Sequence, residues 1–230
     1  MSLPPGQFNL EHFPRFGLPP YAKRFPAEIE QISLKVSGDV DQENVISDEF
    51  DQLPRITQTS DFHCVTSWSC TGLCWEGWRF SDFYNQVIVP SVTPETSVSH
   101  AIFVCHDGYS ACLPLVDLMA DDVLLADRLN GEPLTLAHGA PLRLVAPAHY
   151  GYKNTKHLKG IKLVSNADAF IGARPKFLTH PRGRVAYEER GAGVSGKVLR
   201  YLYKPLIRPN ICIFQQALAK YQSKSKLGNQ

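Results

Sequence analysis

Residues 61–69 read DFHCVTSWS, and Trp75-Glu76-Gly77 begins six residues later. The run Thr57–Thr66 is strand-like and brings His63 and Cys64 to its end. Cys70 and Cys74 follow, so the spacing is His63-Cys64-x5-Cys70-x3-Cys74. Structural zinc sites are built from C-x2–4-C pairs that recur, and no second pair occurs in this chain. An iron–sulfur cluster needs four thiolates in a recognisable run, which is also missing. Lone cysteines are mostly small buried hydrophobes. The residues alone therefore leave Cys64 open between packing, metal ligation and nucleophilic catalysis. A hydrolase pairing Cys64 with His63 is the weakest of these, because neighbours on a strand face opposite sides.

Outward from this stretch, Gln31–Gly38 reads as a half-buried strand ending at a glycine turn. Ser47 is a candidate cap for a short helix through Leu53, and Ser81 for one near Asp82–Val87. Ala101–Cys105 is a strand running into the turn His106-Asp107-Gly108, and Leu113–Ala120 reads as a helix. Pro141–Ala146 and Leu158–Ser165 are strands joined by the loop Pro147–His157. No run of βαβ units of ~30 residues is visible, so the expected class is α+β with a mixed sheet rather than a doubly wound one. Residues 1–27, rich in Pro, Phe and Gly, read as an extended arm before a domain over 28–175. Residues 176–230 read as a partly helical basic extension, with Gly191-Ala192-Gly193 as a break and Pro205 and Pro209 as interruptions.

The 230 residues are 43% hydrophobic and 20% charged, too apolar for general disorder and long enough for a real core. No apolar run approaches the ~20 residues of a membrane-spanning helix. The N-terminal stretch has no basic segment followed by an apolar one, so a cytoplasmic protein with reduced thiols is expected. The net charge of +2 hides an asymmetry. Residues 1–173 carry 12 Lys and Arg against 20 Asp and Glu, whereas residues 174–230 carry 12 against Glu188 and Glu189 alone. Such a tail can meet an acidic partner or its own domain. No nucleic-acid-binding motif accompanies the charge, which argues against nucleic acid.

The most suggestive polar stretch runs from His138-Gly139 through Arg143 to Tyr150-Gly-Tyr-Lys153-Asn-Thr-Lys156-His-Leu-Lys159. Gly139 and Gly151 allow backbone N–H groups to converge on an anion. Arg143 offers a bidentate donor for phosphate, with Lys153, Lys156 and Lys159 as point charges. On a strand, Arg143 would point away from the leucines beside it. Neither G-x-G-x-x-G nor G-x4-G-K-[ST] occurs, so dinucleotide and P-loop readings fail.

Taken together, seven stretches in order resemble the molybdopterin-binding domain of the sulfite oxidase family. They are FPRFG at 13–17, DFHCVTSWS with Trp75-Glu-Gly77, and DGYS at 107–110, then LLA at 124–126, LNGEPL at 129–134, HGAPLR at 138–143 and YGYK at 150–153. The nearest branch is the small sulfite oxidase-like oxidoreductases, related to the catalytic subunit of periplasmic methionine sulfoxide reductase.

That resemblance implies a molybdenum–molybdopterin cofactor and two-electron oxygen-atom transfer on a small substrate, as sulfite-like oxidation or S- or N-oxide reduction. It makes Cys64 the single protein thiolate on molybdenum, with a soft ligand joining the cofactor's dithiolene sulfurs. Arg143 and His138 fall where the family contacts the pterin, although relatives often carry Asn in place of His138. Asn154, Thr155 and Lys156 match the phosphate-holding loop, with Lys153 nearby and Arg15 as the polar group of an arm closing on the pterin. His63 either orients the thiolate or packs. Asp107 and Tyr109 lie in a loop near the family's metal pocket, as candidate catalytic residues. No haem-binding domain or immunoglobulin-like dimerisation domain is legible, so the expectation is no haem and a separate electron carrier, such as an acidic cytochrome or ferredoxin, meeting the basic tail. The basic residues favour an anionic substrate. A cofactor-free binding module that keeps the fold is the alternative.

Overall fold

The computed structural model describes residues 3–26, 31–168, 170–172 and 178–228; the boundaries expected near 27/28 and 175/176 lie outside them. Among the described residues eleven strands form two sheets: β1 Phe8–Asn9, β2 Leu34–Gly38, β3 Asn44–Ile46, β4 Ile56–His63, β5 Trp68–Arg79, β6 His100–Cys105, β7 Ser110–Pro114, β8 Leu124–Leu129, β9 Glu132–Pro133, β10 Arg143–Val145 and β11 Leu158–Val164. The first sheet runs β1-β5-β8-β10, with β4 added to β5 and β9 to β8; the second runs β3-β2-β11-β6-β7. Both are mixed: β1–β5 and β2–β11 are parallel and the remaining pairs antiparallel. Helices are few, so the class is α+β.

The main core joins the second sheet to the helical turn after β5. α1 (Phe80–Phe83) passes through a π-helical turn, Tyr84–Ile88, into α2 (Val89–Val92), burying Phe80, Phe83, Ile88 and Val92. This helix starts at Phe80 and not after Ser81, because Arg79 ends β5 in extended geometry at the cap position. Ser47 does precede a 3-10 helix, Asp48–Gln52, but makes no capping hydrogen bond; the Ser47 N–H instead donates to Glu49 Oε2 at 2.9 Å.

Two further expectations change. Leu113–Ala120 is not one helix: Ser110–Pro114 is a strand paired with β6, and α3 covers only Leu115–Leu118. A short apolar run fits either a strand or a buried helix, and here the β6 partner decides. Nor does Pro209 interrupt the C-terminal helix. α4 (Gly196–Tyr203) leads through a 3-10 turn, Lys204–Leu206, into α5 (Ile207–Gly228). Pro209 sits in the first turn of α5, where no intrahelical N–H bond is lost.

Candidate active site

The hairpin from β4 to β5 makes the turn that carries Cys64. Cys64 N–H donates to Trp68 O at 2.8 Å and Ser67 N–H to Cys64 O at 3.0 Å, closing a tight turn. Ser67 closes it at φ +87°, a conformation costly for a residue with a side chain. Two distant groups hold it there. Gln7 Nε2 donates to Cys64 O at 3.1 Å, and the fully buried Arg190 donates Nη1 to Val65 O at 2.5 Å. The Cys64 thiol, 6% exposed, lies 3.1 Å from Thr66 Oγ1.

Cys64 opens onto a cavity of about 310 Å³, also lined by Arg15, Asp107, Tyr109, His138, Arg143, Asn154, Thr155 and Lys156. The site thus gathers nine of the residues singled out from the sequence. His63 and Lys153 are not among the lining. His63 turns to the other side of the strand, its Nδ1 2.7 Å from Ser69 Oγ. Lys153 Nζ donates to Cys112 O and Pro181 O, both at 2.6 Å, tying the 178–185 loop to β7.

Arg143 on β10 faces the cavity while Leu142 and Leu144 enter the main core. Its guanidinium lies 4.7 Å from the Trp75 ring centroid and 5.8 Å from those of Phe13 and Phe62. It donates Nη1 to His138 O at 2.9 Å, and its Nε is buried without a partner. His138 stacks on Phe13 at 4.8 Å. The 146–154 loop is knotted by Asn154, whose Oδ1 accepts from Ala146 N–H at 2.6 Å and whose Nδ2 donates to the carbonyls of Ala146, His149 and Tyr150. Asn154 thus shapes the wall with an amide that is already engaged. Gly151 belongs to the same loop: a Cβ there would meet the Phe62 ring, 2.8 Å from Cε1. Tyr109 donates its hydroxyl to Tyr152 O at 2.6 Å, and Asp107 Oδ1 accepts from Tyr109 N–H at 2.9 Å.

The electrostatics are one-sided. Arg15, Arg143 and Lys156 line the cavity with Asp107 as its carboxylate, and none of the three cations makes an ion pair among the described residues. Desolvation pulls Arg143 down to about 9 and Arg15 to about 10. Lys156 falls to about 7, through burial first and then the neighbouring Arg143 and Arg15. Burial holds Asp107 above the usual carboxylate range. His138 and His157 are lowered to about 4, chiefly by burial, so both are neutral at pH 7. Buried cations without counter-charges cost free energy until an anion joins them. A thiol facing such a cluster fits a ligand with a sulfur-bound metal at one end and a phosphate at the other.

Sequence reasoning missed the other wall. Tyr203, Leu206, Pro209, Asn210, Ile213 and Phe214 from the C-terminal helices also line the cavity. They grip the N-terminal arm: Asn210 Nδ2 donates to Gly17 O at 2.6 Å, Phe214 stacks on Phe16 at 6.4 Å, and Phe214 O accepts from Arg15 Nη1 at 3.4 Å. Lys156 Nζ donates to Phe16 O at 3.3 Å, tying the arm to the cationic loop. His157, at φ +57° with its ring Nδ1 2.7 Å from Ala140 O, was missed as well. No sequence motif signals these contacts; the α4–α5 amphipathic pattern was the one available hint.

The comparisons with known proteins agree with this chemistry. The profile of the family described as "Oxidoreductase molybdopterin binding domain" matches residues 22–170. The chain is 35% identical over 163 residues to "Uncharacterized oxidoreductase YuiH" of Bacillus subtilis (strain 168), spanning 70% of this chain and 78% of that protein. It is 28% identical over 193 residues to the protein-methionine-sulfoxide reductase catalytic subunit MsrP of Xanthomonas campestris pv. campestris, spanning 72% of this chain and 59% of the relative. Against sulfite oxidase of Arabidopsis thaliana it is 33% identical over 103 residues, 40% of this chain and 26% of that one. Among solved structures, the sulfane dehydrogenase SoxCD of Paracoccus pantotrophus has the same fold, with a TM-score of 0.52 at 20% identity over 61% of this chain and 40% of that one. With its profile matched over most of its length, the chain belongs to the sulfite oxidase-type family of molybdopterin-binding oxidoreductases.

Proposed function

We propose that this cavity binds molybdopterin-bound molybdenum and that the protein catalyses two-electron oxygen-atom transfer on a small substrate. One observation carries the reading: the Cys64 thiol and the unneutralised Arg143 and Lys156 line a single buried cavity. When bound, the cofactor supplies the redox chemistry of oxygen transfer. The chain supplies position and charge. Cys64 is the protein ligand to the metal, held at its turn by Gln7 and Arg190. Lys156, Arg15 and Arg143 hold the phosphate and pterin end, and Lys156 takes up a proton at Nζ as an anion raises its depressed affinity. His138 and Phe13 form a flat stack against which a planar ring system packs. Asn154 fixes the loop through its amide and Thr155 through its backbone carbonyl, Arg15 locks the arm, and His63 and Lys153 support the frame from outside the cavity. Asp107 and Tyr109 line the same cavity, Asp107 within Coulombic reach of Lys156 and Arg15, and the excess of positive charge favours an anionic or oxygen-rich substrate.

The test is purification from cells that make molybdopterin, in parallel with Cys64→Ala. Molybdenum is measured by elemental mass spectrometry and pterin by fluorescence after oxidation. Near-stoichiometric metal in the wild type, lost in the variant, is expected. A folded wild-type protein free of both would replace this reading by a cofactor-free binding module. Activity surviving without molybdenum would point instead to thiol chemistry.

A further inference from the structure

The positive tail divides into two parts. Arg182 pairs with Asp117, Arg184 with Glu189, and Arg190 and Arg200 both approach Glu188, at 3.7 and 3.5 Å. Those four cations are engaged in ion pairs within the domain. Lys197, Lys204, Arg208, Lys220 and Lys224 are exposed and make no ion pair among the described residues, and no acidic residue follows Glu189. Beside them lie exposed apolar groups: Val198, Tyr201, Leu202, Leu206 and Ile213 are 40–68% exposed.

These apolar groups are not scattered. Leu199, Tyr203, Ile207, Asn210 and Phe214 are the buried positions of α4 and α5, and Val198, Leu202, Leu206 and Ile213 each precede one of them. One residue is a rotation of about 100° on a helix, so the exposed residues form a second stripe alongside the buried one. Leu206 and Ile213 belong both to this stripe and to the cavity lining, so the stripe reaches the cavity mouth.

We propose that the exposed face of residues 197–213 is the docking surface of an acidic one-electron carrier protein. The inference rests on the oxygen-transfer reading above, because that chemistry needs electrons delivered or removed near the cavity. Each encounter moves one electron. Two encounters balance each oxygen atom transferred: in the oxidative direction water supplies the oxygen and releases two protons, and in the reductive direction the oxygen leaves as water with two protons. Charge complementarity selects an acidic partner, while the apolar stripe supplies contact area at the mouth. A second copy of this chain is disfavoured, since a two-fold contact through this face would set one basic face against another with no acidic residue between 190 and 230 to offset it.

The experiment uses the molybdenum-loaded protein, wild type and with Lys204→Glu/Arg208→Glu or Leu202→Ser, none of which lines the cavity. An acidic [2Fe–2S] ferredoxin and an acidic cytochrome c are the probes, with association followed by surface binding and electron exchange by stopped flow. The expected result is association with at least one probe, slowed about tenfold or more by physiological salt and by the double charge reversal. Leu202→Ser should speed dissociation, and turnover with a small redox dye should stay unchanged in all variants. No association with either probe, or association indifferent to the charge reversal, overturns the proposal. Co-sedimentation with phosphatidylglycerol vesicles without carrier binding overturns it too, by assigning the face to lipid. A wild type that lacks molybdenum and pterin but still binds a probe would sink the oxygen-transfer reading and leave the docking surface standing.

Discussion

The two walls of the cavity are built differently. One wall comes from the sheets: the Cys64 turn between β4 and β5, Arg143 on β10, and the 154–157 loop leading into β11. Ladders of backbone hydrogen bonds and buried neighbours fix these groups. The other wall is the arm and α4–α5, held by ring contacts such as Phe16–Phe214 and Phe25–Tyr221 and by side-chain bonds to carbonyls. The arm's share of sheet is the two residues of β1. Segments with few ladder bonds open at lower free energy than sheet cores. The sheet wall therefore fixes Cys64, Arg143 and Lys156 through its ladders, while Arg15 is carried by the arm, whose hold rests on side-chain contacts.

The sharpest way to break this contrast is the residue that joins the walls. Arg190 is fully buried and donates to Val65 O in the Cys64 turn and to Pro5 O in the arm, at 2.5 and 3.4 Å. Arg190→Leu leaves those carbonyls without their donor and Glu188 with Arg200 alone, at a cost of about 3 kcal/mol. Thermal denaturation should show a midpoint lower by about 10 °C. An unchanged midpoint would mean that the walls are independent. Next comes Phe214→Ala, at about 3 kcal/mol for loss of a buried ring. Hydrogen exchange should quicken at Ala22 and Arg24 in the arm and stay unchanged in β6 and β11; uniform acceleration would make the two walls one cooperative unit.

Legibility in the sequence followed the same division. Cys64, Arg143 and Lys156 are legible as site residues only through the family resemblance of the short motifs that carry them; spacing alone leaves Cys64 open. Strand β5 does not read as a strand in the sequence, since Gly72, Gly77 and the irregularity between Glu76 and Gly77 interrupt its alternation; a Cβ at Gly77 would strike the Leu125 carbonyl. The helical wall was read as a helix but not as part of the site. Asn210 meets Gly17 across 193 residues of sequence, and no period or spacing encodes that contact. His63 and Lys153 were grouped with the site because their neighbours belong there. Strand alternation turns His63 away, and two backbone carbonyls draw Lys153 elsewhere.

The pH response separates the walls more finely. His138 and His157 lie on the rigid side and are held neutral, their affinities lowered from 6.5 to about 4. Between those values the unfolded chain binds more protons than the folded one. Stability is therefore fully present above pH 6.5 and is lost as pH falls toward 4, by about 2 kcal/mol per histidine after allowance for partial hydration. Thermal midpoints measured across this window should fall in the wild type and flatten in His138→Asn/His157→Asn, where Asn also suits the positive φ of His157. Equal slopes in both proteins would place the acid response elsewhere.

The smallest effect tests one strand end against itself. Cys64 and His63 are adjacent, yet one lines the cavity and the other bonds Ser69 on the far side. His63→Gln should cost about 1 kcal/mol, the worth of one hydrogen bond, and leave the molybdenum content intact. If metal content fell with His63, the turn would be transmitting that bond to the thiol. The ladder pair His63–Ser69 would then be a positioning element of the site, and the rigid wall would extend one residue further than the cavity lining indicates.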